Sequence, residues 1–350
     1  MADGIIHRYK TVAIIGLCLC IFFALASLWV PIYLDYYDKN VYFQDYLSGK
    51  SGNYPIIIDD MDIDSYKLLH QVTNLSKEKE VILIGGSQTR IGLIPNYSLD
   101  NGYTLNNLGL SGATPYSDKI MLNYIKLEGN RELNNDDIIV FDIYYATFTF
   151  QDTKNDYTRS QLDRFGVYTI DESGNIYGSL GKLHKCYYDS IMPYNTFMKT
   201  ISNSLNVLKS NLLQTLNAII TSNDNDVISD YERYYSDSEK FTKGTKYPSD
   251  STDAFKKLLI ETRNISNVVV VNLYVPSWMR DNPTEQEYEL WLNESLLPFL
   301  SENNICYLDF SRTIPDNEYY DFAHLNRQGR ENYTRQFDMA FKNLSIFKEI

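Results

Sequence analysis

Ser87, Asp321 and His324 are the residues of this chain whose types and spacing point to chemistry. A serine hydroxyl attacks an acyl carbon near neutral pH only when a neighbouring base takes its proton. Ser87 follows Val81-Ile-Leu-Ile-Gly-Gly86, an apolar, β-branched run that ends in two glycines. That pattern predicts a buried strand turning sharply at its C-terminal end, the sheet edge where open parallel sheets bind ligands. Backbone N–H groups at such a turn are free to face an oxyanion. Alone, the segment reads equally as an ordinary strand and a Gly-rich loop. Asp321-Phe-Ala-His324 supplies the missing partners near the other end of the chain. Its three-residue spacing lets the carboxylate reach the imidazole Nδ1 while Nε2 faces the serine. In the roles these residues would take, Ser87 attacks, His324 relays the proton and Asp321 orients the ring and stabilises its charged form. The plainer alternative for His324 is a helix-N-terminal histidine without chemistry.

A third block, Asn107-Leu-Gly109-Leu-Ser-Gly112, follows the serine. Together the three blocks resemble the SGNH (GDSL-like) hydrolase superfamily. The resemblance implies a flavodoxin-like α/β/α sandwich over about residues 80–145 and 252–345. It also implies an oxyanion site made by the N–H groups of Ser87 and Gly109. The family's Gly-x-Asn-Asp block has no counterpart here, and Asp142, Tyr144 or Tyr145 occupies the comparable place. That departure resembles the membrane-anchored branch, which includes DltD-type teichoic-acid D-alanylation and alginate O-acetylation proteins. Four further residues are candidates for substrate binding. Gln88 and Arg90 lie just past the serine and either support the turn or bind substrate; a structural salt bridge is a further option for Arg90. Trp278 and Arg280 follow a later strand and either line a groove or, for Trp278, pack into the core.

The elements that must position these residues alternate in type. Strands are predicted over residues 81–84, 137–143, 268–275 and 305–310, and helices over 116–127, 253–263, 285–303 and 326–342. The first helix should bury Ile120, Tyr124 and Leu127, the last Tyr333, Phe337 and Phe341. Residues 92–105 read as turns. Short apolar strands between helices require a parallel sheet covered on both faces, an α/β fold. Residues 151–250 read as an insertion. In it Met198, Ile201, Leu205, Leu208, Leu212, Leu216 and Ile219 mark an amphipathic helix, followed by a polar surface loop.

Ahead of the domain, residues 11–34 form an apolar run without a charge, long enough to cross a hydrocarbon core of roughly 30 Å. Arg8 and Lys10 precede it and Asp35 and Asp38 follow, which places residues 1–10 in the cytoplasm and the rest outside. Ala24-Leu-Ala26 also reads as a signal-peptidase site, so a cleaved leader competes with a retained anchor. Residues 35–79 read as a juxtamembrane spacer and 80–350 as the catalytic domain.

The formal net charge of −13 argues against a nucleic-acid partner. Of four cysteines, Cys18 and Cys20 lie in the apolar run; Cys186 and Cys306 form a disulfide or remain two thiols. No His/Cys spacing suits a metal, and no cofactor is expected. Two functions follow. One is a membrane-anchored serine acyltransferase or esterase moving acetyl or D-alanyl groups on a cell-envelope polysaccharide or teichoic acid. For a transferase the resemblance implies a multi-spanning acyltransferase partner. The other is a non-catalytic, SGNH-like glycan-binding or scaffold protein of an envelope-polymer synthesis complex.

Overall fold

The structure is a computed structural model that describes, with short gaps, residues 71–148, 169–178 and 246–344, most of 12–28, and Met198 and Ser202. The spacer upstream of residue 71, the amphipathic helix of the insertion apart from those two residues, the polar loop after it and Cys186 lie outside the described residues. Cys306 is a free thiol.

Five parallel strands make the sheet: β1 (Glu80–Ile84), β2 (Thr104–Asn107), β3 (Ile138–Ile143), β6 (Asn267–Asn272) and β7 (Cys306–Asp309). Their spatial order is β2-β1-β3-β6-β7, and a separate hairpin pairs β4 (Thr169–Ile170) with β5 (Ile176–Tyr177). The helices are α1 (Ser87–Gly92), α2 (Pro115–Glu128), α3 (Asp250–Arg263), α4 (Pro283–Trp291), α5 (Leu297–Glu302) and α6 (Arg327–Lys342). Right-handed crossovers account for the layering. The chain moves one way across the sheet from β1 to β2, then reverses to lay down β3, β6 and β7. The reversal sends α2 to α5 to one face and leaves α1 on the other, where α6 joins it.

Period-2 alternation divides the core between these faces. Ile82, Ile84, Ile139, Phe141, Val268 and Val270 point to the α2–α5 side, where Ile120, Tyr124, Phe255 and Leu259 meet them. Val81, Leu83, Ile138, Val140, Val269 and Val271 point to the α6 side and pack with Tyr333, Phe337 and Phe341. The strands β1 and β3, paired on both sides and covered on both faces, are buried along their whole length.

The expected α/β fold and its parallel sheet are present, with local differences. Strand β2 spans the junction between the turn-rich stretch expected over 92–105 and the loop expected after it. Its sequence, Thr-Leu-Asn-Asn, lacks an apolar run because it is an edge strand paired only with β1. The serine turn runs directly into α1. Leu127 is exposed, and the buried stripe of α2 is completed by Met121 and Ile125. The long helix expected over 285–303 is interrupted by a π turn at Leu292–Leu296. Pro298 sits in the first turn of α5 and denies the ladder an N–H, and a wider turn accommodates that loss. Side chains cap four helix starts: Thr114 with Ser117 and Ser249 with Thr252 form reciprocal capping boxes for α2 and α3, and Asn282 and Asn326 cap α4 and α6.

At the N-terminus, residues 12–22 are helical and expose Val12, Ile14, Ile15, Leu17, Leu19 and Ile21. Among the described residues no helix is long and apolar enough to cross a membrane.

Phe337 lies fully buried between Phe310, Tyr333 and Phe341. Phe337→Ala is expected to cost about 3–5 kcal/mol of stability in urea unfolding, because α6 holds the cavity walls apart.

Candidate active site

The Ser87 turn is assembled from three elements that meet where the strand order reverses. Gly86 stands at the N-cap of α1 and Ser87 is its first residue. The Ser87 N–H therefore has no acceptor within the helix and points out of its N-terminus. Beneath the turn lies Asp142, near the end of β3 and 3% exposed. Its Oδ2 accepts the Gly86 N–H at 3.1 Å and a short hydrogen bond from the Thr89 hydroxyl. Only a glycine leaves room for this carboxylate, since a Cβ on Gly85 would lie 2.2 Å from the Asp142 Cγ. Burial pushes the Asp142 carboxyl up to about 6, against the opposing pull of the Thr89 hydroxyl and the backbone N–H groups.

The candidate base, His324, arrives from the segment between β7 and α6. Tyr319 and Leu325 form an antiparallel bridge, the Asn326 N–H donates to the Glu318 carbonyl, and the Asn326 amide donates to the Asn317 carbonyl. Asp321 and His324 sit in the loop so closed. Asp321 Oδ1 accepts the backbone N–H groups of Ala323 and His324, both at 2.7 Å. Asp321 Oδ2 lies 2.8 Å from His324 Nδ1, and His324 Nε2 lies 2.8 Å from Ser87 Oγ. Burial by itself would raise the Asp321 carboxyl. The facing His324 charge, its ring hydrogen bond and the two backbone donors outweigh that and hold it below the ordinary carboxylate range. This is the arrangement that an activated serine needs, with the orienting carboxylate on the far side of the ring.

The other candidates separate by position. Gln88 is 1% exposed and directs its amide into the protein, where Nε2 donates to the Ala323 carbonyl at 2.7 Å and meets the Tyr274 carbonyl at 3.4 Å. It braces the turn, the first of its two sequence readings, and is not presented to substrate. Gly109 does lie beside the serine turn. A Cβ there would come within 2.6 Å of the Arg90 nitrogen and 3.0 Å of the Gly86 carbonyl. Its N–H, expected to face an oxyanion, donates instead to Asn107 Oδ1 at 3.1 Å. Asn107 spends its amide on the Thr89 and Arg90 carbonyls, so β2 is tied to the end of α1. Arg90 is half-buried on α1, its N–H bonded to the Gly86 carbonyl. Trp278 and Arg280 occupy the turn after β6 at the same sheet edge. Trp278 packs half-buried on the α2–α5 side, and Arg280 is exposed.

Of the residues weighed for the absent Asn block, Asp142 is committed beneath the turn as an acceptor. Tyr145 is wholly buried. Tyr144 follows β3 half-buried and stacks edge-on against Tyr145 at 5.5 Å. Burial and the nearby Asp142 and Asp321 charges raise its phenol. Sequence reasoning did not find Thr89 or the Tyr274 contact. The signal for Asp142 is visible in hindsight: it is the one charged residue in an otherwise apolar strand, Ile-Ile-Val-Phe-Asp-Ile. Among the described residues no group of three or more His, Cys, Asp or Glu side chains could hold a metal ion.

No protein-family model matches this sequence, and no curated protein matches it. Solved structures do. A member of the lipolytic protein G-D-S-L family from Veillonella parvula aligns at 12% identity and a TM-score of 0.36, over 76% of this chain and 100% of that one. A catalytic mutant of Axe2, an acetylxylan esterase from Geobacillus stearothermophilus, aligns at 11% identity and a TM-score of 0.38, over 75% of this chain and 93% of the other.

Two expectations concern the floor of the turn. Gly85→Ala should lose about 3 kcal/mol or more in urea unfolding, and adding Asp142→Ala should restore part of the loss, because the clash is with that side chain. The raised Asp142 pKa fixes a sign as well. A carboxyl with a folded-state pKa above its ordinary 3.8 favours the fold while protonated. That contribution is present below about pH 4 and is lost as the pH rises past about 6. Asp142→Asn removes the titration, so its stability relative to wild type should climb by up to about 3 kcal/mol between pH 4 and pH 7. Urea unfolding at both pH values measures this; a pH-independent difference would contradict it.

Proposed function

We propose that this chain is a serine esterase or acyltransferase working through Ser87, His324 and Asp321. The observation that carries the reading is the continuous line of two 2.8 Å contacts from the Ser87 hydroxyl through His324 to Asp321. In the proposed cycle His324 Nε2 takes the Ser87 proton as Oγ bonds to an acyl carbonyl carbon. The carbonyl oxygen becomes an oxyanion against the Ser87 N–H at the start of α1, and removal of one such donor costs about 3 kcal/mol of transition-state stabilisation. His324 then protonates the departing alkoxide, the ester C–O bond breaks, and an acyl-serine remains. Water attack on that ester gives hydrolysis; attack by another hydroxyl gives transfer. Asp321, held ionised, keeps the ring oriented and balances the imidazolium.

The substrate we favour is an acetyl or D-alanyl ester on a cell-envelope polysaccharide or teichoic acid, with the domain tethered outside the cytoplasmic membrane by residues 11–34. Support for the tether is the uncharged apolar run and the row of exposed apolar side chains along residues 12–22. For a transferase, a multi-spanning membrane partner would deliver the acyl group.

The test treats full-length protein in mild detergent with a fluorophosphonate probe and with p-nitrophenyl acetate. Labelling should map to Ser87, and both labelling and turnover should fall at least about 1,000-fold in Ser87→Ala and His324→Ala while thermal unfolding is retained. Absence of labelling in folded wild-type protein, in detergent and in native membranes alike, would replace this reading with the glycan-binding scaffold.

A further inference from the structure

Ser87 and His324 come from opposite ends of the domain, and their separation is set by whatever fixes α1 against the Asp321–His324 loop. One buried side chain spans that gap directly. Gln88 follows the nucleophile in sequence, and the carbonyl it binds at 2.7 Å belongs to Ala323, which precedes the base. The same amide meets the Tyr274 carbonyl at 3.4 Å, and the Tyr274 hydroxyl returns a 3.1 Å hydrogen bond to the Gln88 carbonyl. The strut is thereby anchored to the segment that follows β6. Its cost is visible too. Gln88 Oε1 is buried and has no hydrogen-bond partner among the described residues. An apolar side chain of the same volume would remove this orphan but would take from the Ala323 and Tyr274 carbonyls the donor that reaches them.

We infer that Gln88 is a positioning residue that sets the Ser87–His324 contact by clamping the Ala323 carbonyl to the residue after the nucleophile. The inference rests on the serine-hydrolase reading for its effect on rate. Gln88→Met fills the volume but donates nothing, so the loop loses its tie to α1. A displacement of about 1 Å between reacting groups costs on the order of 100-fold. In full-length protein, Gln88→Met should lower kcat for p-nitrophenyl acetate by about 10- to 100-fold, with KM within about 2-fold and a cooperative thermal transition retained at a lowered midpoint. Gln88→Glu supplies a pH-dependent readout. Protonated, its carboxyl still donates an O–H to the Ala323 carbonyl; ionised, it can only repel the two carbonyls. Its activity relative to wild type should fall as the pH rises.

Unchanged kcat in folded Gln88→Met, or a flat Gln88→Glu ratio across pH, would overturn the inference and leave Gln88 as packing. A raised KM at constant kcat would overturn it in favour of substrate contact. If Gln88→Met does not fold, the Gln88→Glu profile decides. Failure of the underlying function is distinguishable, because wild-type protein would then not react with the fluorophosphonate. In that case the hydrogen-bonded His324 ring proton, followed by NMR with labelled histidine, still reports the geometry. It should shift or broaden in Gln88→Met, and an unchanged signal would count against the clamp.

Discussion

The Ser87 turn is built over the Asp142 carboxylate. Gly85 leaves space for it, the Gly86 N–H and the Thr89 hydroxyl bind it, and Ser87 is held between those two donors at the first position of α1. A carboxylate buried at this depth is tolerated because donors surround it. The arrangement exists only because β1 and β3 are neighbours in register, Leu83 beside Val140 and Ile84 beside Phe141. Moving either strand by one residue would turn its side chains to the opposite face and take Asp142 out of the turn.

The same junction accounts for where His324 comes from. Sheets of this strand order open a crevice at the C-terminal ends of the strands where the direction of winding reverses, here between β1 and β3. Loops from β2, β6 and β7 rim that edge. The segment after β7 crosses it, makes the Tyr319–Leu325 bridge and enters α6 through the Asn326 cap. Anchoring of α6 by Tyr333, Phe337 and Phe341 on the far face of the sheet, and by the Arg330 guanidinium on the Leu93 carbonyl just past α1, fixes the loop's end against the serine's helix. Core packing thus reaches the Ser87–His324 pair through two short tethers, Arg330 and Gln88.

Asn107 and Gly109 show a division of labour that residue type alone conceals. Gly109 is required because the segment after β2 passes within a Cβ's reach of α1. Its N–H completes a local turn with Asn107, whose amide in turn satisfies the last carbonyls of α1. With the Gly109 N–H so engaged, the Ser87 N–H at the first position of α1 is the neighbouring backbone donor without an acceptor in its own helix.

By itself the sequence determined the α/β class, the interior strands and most helices, because apolar periodicity and caps are local properties. It also marked Ser87, Asp321 and His324, because a triad needs particular residue types and the Asp–His spacing is short enough to be read along the chain. Three things were decided only by tertiary structure. The edge strand β2 forms by pairing with β1 and carries no apolar signal of its own. The roles of Gln88 and Asp142 depend on which carbonyl or N–H another segment places within 3 Å or so. The fate of the Gly109 N–H was settled by an asparagine two residues earlier, whose amide nitrogen is held by α1 carbonyls and whose oxygen is thereby turned toward that N–H. Hydrogen bonds are directional and short-ranged, so a sequence can name the groups able to make them but not which partner the fold brings near.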